Sequence, residues 1–105
     1  REAYGAFLAS WQAQAATDEA VRGVMARIAP DEVQHAELAF AVADWIKPQL
    51  SEAELRTLAG ARASAIDELL SSLADPISES LRTTAGLPPS EVSRSFVLSQ
   101  ARLLA

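Results

Sequence analysis

An apolar stripe that keeps helical phase from Val21 to Ile46 is the strongest limit on what this chain can fold into. At about 100° per residue, Val21, Val24, Met25, Ile28, Ala39, Val42 and Ile46 fall on one side of a helix, while Gln34, Glu37 and Asp44 fall well off it and are expected in water. A helix from about Asp18 to Ile46 would be roughly 40 Å long at ~1.5 Å per residue, and Pro48 ends it. Pro30 lies inside the run. An interior proline loses a backbone hydrogen bond and costs about 3 kcal/mol or more. One reading restarts the helix there, with Pro30 at its first position and Asp31 and Glu32 in the first turn, where acids complement the dipole. Against that, Ala29 is a poor N-cap and the stripe holds its phase across Pro30. The expectation is one helix, kinked near Pro30.

The neighbouring segments are also helical. In residues 1–16, Tyr4, Phe7, Leu8, Trp11 and Ala15 make a bulky face. Ala6, Ala9, Ala13 and Ala16 make a smooth face roughly opposite, to which Glu2 belongs. Thr17 and Asp18 supply a stop and an N-cap. Ser51 to Glu54 reads S-E-A-E, a capping box, and opens a helix with the inner stripe Leu55, Leu58, Arg62, Ile66, Leu69 and Leu73. Asp75-Pro76 closes it. A short helix to about Ala85 ends on Gly86. Ser90, after Pro88-Pro89, caps a last helix carrying Val92, Phe96, Val97, Leu103 and Leu104. Half the chain is hydrophobic and much of that is alanine, with few β-branched residues and no clean alternation. The predicted class is all-α: two long antiparallel helices (1–47), then three shorter ones (51–105). A length of 105 residues suits one domain. The sequence begins at Arg1, already inside a helical pattern and with no cap, so a fragment or processed form of something longer is expected.

The net charge of -5 and pI near 4.7 argue against a nucleic-acid binder, and the nine basic residues are scattered. No apolar run is long enough to span a membrane. With no cysteine, disulfides and thiolate metal sites are excluded. The compartment is not legible. The only histidine is His35, so a histidine-based hydrolase has little support.

Glu32 and His35 fall inside the stripe, in the gap between Ile28 and Ala39. Burying an unpaired charge costs several kcal/mol, and a pair one turn apart returns only about 0.2–0.5 kcal/mol. Something further should meet them: a facing polar residue, a water or a metal ion. Carboxylate and imidazole at i and i+3 is a spacing that holds iron or manganese inside helical bundles. A lone histidine satisfied within a core is the simpler alternative.

R-E-A-Y-G-A at the start, A-R-I-A-P-D-E-V-Q-H-A-E-L-A-F and the tryptophan that follows resemble the second half of a ferritin-like di-iron carboxylate domain. The nearest pattern is a poorly characterised bacterial group of ferritin-like domain proteins. The resemblance covers residues 1 to about 46. It implies a helical hairpin that is half of a four-helix bundle. Glu2 matches the single Glu of such a hairpin, and Glu32 and His35 match its E-x-x-H. Pro30 departs from the pattern, and only half a ligand set is present. The resemblance thus implies a metal site of Glu2, Glu32 and His35 for iron or manganese, completed by a missing N-terminal half or by self-association, as in the two-helix ferritins of encapsulin shells. An iron-dependent ferroxidase or oxidase activity would follow. The other reading is a metal-free structural or interaction module on the same scaffold. Tyr4 and Trp11 are read as core aromatics rather than electron donors.

Overall fold

A computed structural model of the chain describes residues 2–104, with side chains to Arg102. The expected places of Arg1 at the start of the first helix, and of the Leu103 and Leu104 side chains on the last, lie outside what is described. The described residues form α1 (Glu2–Ala15), α2 (Glu19–Ile46), a 3₁₀ turn (Lys47–Gln49), α3 (Glu52–Ser72), α4 (Glu79–Ala85) and α5 (Ser90–Leu104). The all-α class holds, and the boundaries fall near the expected ones. One length differs. At 21 residues α3 is longer than α1, which has 14, so the C-terminal helices are not uniformly the shorter ones.

Local chemistry accounts for most boundaries. Asp18 caps α2 by accepting from the Val21 N–H at 3.0 Å. Ser51 and Glu54 form the reciprocal capping box of α3. Ser78 caps α4, and Gly86, at φ 71°, closes it in the left-handed conformation. Pro48 does not stop α2 abruptly, because the chain tightens into the 3₁₀ turn that contains it. Pro30 sits inside a continuous α2. Its ring is exposed, and the helix runs through it without a break. Ser90 corrects an expectation. It is the first helical residue rather than the cap. The Pro89 carbonyl accepts from the Val92 and Ser93 amides, and the Ser90 hydroxyl accepts from Arg82 at 3.4 Å.

α1 and α2 run antiparallel. Arg22 donates to the Ala16 carbonyl at the turn between them, and Glu2 lies beside Glu32 and His35 at the far end. Alanine packs on alanine in this hairpin: Ala6 and Ala9 of α1 and Ala29 and Ala36 of α2 are the buried residues of the pair, with Gln12. Small side chains let the two backbones approach. The bulky side of α1 turns the other way, and Tyr4 and Phe7 meet Phe96 of α5, Phe7 stacking on it at 4.3 Å between ring centroids. α4 is stitched to the α1–α2 turn by Gln12 to the Ala85 carbonyl and by Thr17 to the Thr83 carbonyl.

The predicted inner face of α2 needs correction. Val24, Ile28 and Val42 are 43%, 38% and 51% exposed, Ala39 is exposed and Val21, Met25 and Ile46 are half-buried. The residues that α2 buries are alanines next to that stripe. α3 is similar: Leu55 is exposed, and Leu58, Arg62, Ile66, Leu69 and Leu73 are only half-buried. The body is open. Its accessible surface of 6971 Å² exceeds the roughly 5,700 Å² of a compact 11.2 kDa monomer. Its radius of gyration of 15.6 Å exceeds about 13 Å for this length.

Candidate functional site

Three of the chain's potential ligands come together where α1 begins and α2 passes its midpoint. One ligand atom each from Glu2, Glu32 and His35 lies within 4.8 Å of the others. The geometry follows from the hairpin. The alanine face of α1 packs on α2, and Glu2 is carried on that face. The i, i+3 spacing puts Glu32 and His35 on adjacent turns of α2. All three sequence-predicted ligands are therefore gathered in one cluster.

Their surroundings are not those expected. His35 is 60% exposed at its side chain and Glu32 is 32% exposed, and Glu2 is exposed. The Glu32 and His35 side chains are 3.8 Å apart, beyond hydrogen-bond range. In the single chain burial forces no partner on this pair, because the stripe holding it faces outward.

The donor set is two carboxylates and one imidazole, which suits iron, manganese or zinc. Ligands about 2.0–2.2 Å from one ion stand roughly 3–4.4 Å apart, so the cluster would have to draw in to hold one. Exposed Glu2 and His35 have freedom to do so. The set fits half of a bundle site, in which each of two helices gives a Glu and each of two more gives Glu-x-x-His. Gly5 of α1 borders Glu32: a Cβ there would stand 3.4 Å from Glu32 Oε2, an ordinary van der Waals contact, so the carboxylate lies against the start of α1.

The exposed side of α2 has an order of its own. Val21, Val24, Ile28, Asp31, His35, Leu38, Val42 and Trp45 alternate at three and four residues, the a/d spacing of a coiled-coil seam. All but Val21, which is half-buried, are exposed, with Leu38 at 63% and Trp45 at 65%. His35 stands in this seam and Glu32 flanks it.

The fold and cluster define an all-helical protein with a carboxylate–histidine group on an open helical hairpin. Comparison with protein-family profiles, characterised proteins and solved structures finds no match.

Proposed function

We propose that this chain is a ferritin-like metal-binding half-bundle that a second copy completes, with Glu2, Glu32 and His35 as its ligands for iron or manganese. The observation that supports the reading is the meeting of cluster and seam: the three residues gather where the start of α1 borders the exposed side of α2, with His35 in the seam itself. The seam is self-complementary. An antiparallel copy crossing near Val33 sets Val21 against Trp45, Val24 against Val42 and Ile28 against Leu38. It also sets Asp31 against His35 of the other copy, twice. That carboxylate would hold one ring nitrogen of His35 and leave the other for metal. The surplus of roughly 1,300 Å² over a compact monomer is more than the ~800 Å² per partner of a standard interface. Iron held by such a site would supply redox chemistry toward O2 or peroxide, as in a ferroxidase or related oxidase.

The partial exposure of Glu32 and His35 also favours a second reading, a metal-free module that pairs through the same seam. Anaerobic Fe(II) titration with sedimentation separates the two. The first predicts saturable binding near one iron per chain, lost in Glu32→Ala and His35→Ala, with a doubling of mass. The second predicts the same pairing with no saturable iron, unchanged or strengthened by those substitutions. Monomeric chains that bind no iron would overturn both.

A further inference from the structure

α3 is held to the body along one stripe. None of its residues is fully buried, and Leu58, Arg62, Ile66, Leu69 and Leu73 are half-buried. The hydrogen bonds of Ser51, Glu54, Thr57 and Ser72 stay within α3 and its cap. One end joins the body through Leu50, in extended backbone, and the other through the exposed segment 74–78. A helix between two such joints can tilt as a unit.

A half-open cleft of about 250 Å³ separates α3 from the hairpin. Ile66 and Leu69 of α3 and Ala39, Phe40 and Ala43 of α2 line it. Apolar walls held apart forgo the contacts of a close-packed interior, so there is a drive to close. The lining carries one cation and one carboxylate, Arg62 of α3 and Glu2 of α1. Neither has an ion pair among the described residues. Glu2 alone of the three proposed ligands borders the cleft. In the cluster its carboxylate stands close to that of Glu32, and like charges at that range repel unless a cation lies between them. A guanidinium is a fork of donors matched to a carboxylate.

We propose that α3 is a latch on the metal site. Without metal, Glu2 turns from the cluster to Arg62, and α3 closes with Ile66 and Leu69 on Ala39 and Phe40. Binding of metal by Glu2, Glu32 and His35 takes that carboxylate back and frees α3. The structure, with Glu2 in the cluster and Arg62 apart, is the open position. By linkage, whatever weakens the latch tightens metal binding. The release step rests on the proposed metal binding, whereas the closing contact does not.

The test uses the full chain and Zn(II), a diamagnetic ion that the donor set suits. Without zinc, methyl NOEs from Ile66 and Leu69 to Ala39 are expected, and they should fade as zinc is added. Arg62→Gln should reduce the zinc-free NOEs and tighten zinc by up to about fivefold, the worth of a partly exposed ion pair. Arg62→Lys should behave as the unaltered chain. Glu2→Gln should reduce the zinc-free NOEs as Arg62→Gln does, and the two changes together should do no more than either alone. Arg56→Gln, on the same helix but away from the cleft, should do neither. Zinc-free NOEs that are absent, or unchanged in Arg62→Gln and Glu2→Gln, would overturn the latch. Equal tightening of zinc by Arg62→Gln and Arg56→Gln would also overturn it, since the effect would then be one of net charge. Absence of zinc binding would sink the metal reading and the release step together, and the zinc-free NOEs of the variants would still decide the closing contact.

Discussion

Gly86, at the end of α4, lies against the α1–α2 turn with no side chain at all. Its φ of 71° is costly for any residue with a Cβ, by about 1–2 kcal/mol. A Cβ there would also stand 2.6 Å from Ala16 Cα and 2.8 Å from the Ala15 carbonyl carbon. Gly86→Ala is expected to destabilise the chain by about 3 kcal/mol, conformation and overlap together, measured by urea unfolding. Glu54 offers a test by pH. The Ser51 backbone N–H and then the Ser51 hydroxyl hold its carboxyl below the usual value. A lowered folded value means that the capping box helps α3 above the ordinary Glu range and loses that help as pH falls through the lowered value. The Glu54 carboxyl followed by NMR should titrate higher in Ser51→Ala than in the unaltered chain. Both residues were legible as punctuation, because capping boxes and C-terminal glycines act through neighbours a few positions away. The close approach of Ala16 to Gly86 was not, since it joins positions seventy residues apart in sequence.

At the scale of elements, α2 shows where reading a pattern succeeds and where it does not. Its existence, its length and its passage through Pro30 follow from phase and from the lack of a cap at Ala29. Which side it buries does not. Large apolar residues hide more surface, about 25 cal/mol per Å², so the Val24–Ile28–Val42 side reads as interior. The neighbouring helix decides otherwise: α1 presents Ala6 and Ala9, and close packing against alanine selects Ala29 and Ala36 of α2. The gathering of Glu2, Glu32 and His35 was legible because i, i+3 geometry is local and Glu2 lies on the alanine face. Its exposure was not, because that depends on a layer the pattern presumes. Pro30 gives the element its own prediction. It is exposed and inside a continuous helix, so Pro30→Ala restores an amide donor and removes a ring clash. The melting temperature should rise, with a gain of up to about 3 kcal/mol in stability.

For the whole molecule, the exposed large apolar residues include Val24, Ile28, Leu38, Val42 and Trp45 at regular spacing on α2. Burying a large aliphatic side chain contributes about 1.5–3 kcal/mol, so a few seam residues are enough to hold two chains together. Leu38→Lys with Val42→Lys places charge along the middle of that seam. Helix content by circular dichroism should be retained, since both positions are solvent-facing, while sedimentation shifts from dimer to monomer.

The shortest principal extent is 14 Å against a longest of 48 Å, so the body is a thin slab. Among the described residues no large side chain is fully enclosed. Amide protons in such a slab are shielded by their own helix and little else. Deuterium should therefore enter α3 and α5 through local fraying, at rates barely sensitive to denaturant, with slower exchange confined to the alanine-packed stretch of α1 and α2. A second slab laid on the first would give the central turns of α2 an interior, and protection there should rise with protein concentration. The chain's slowest protons would then report on how many chains are present.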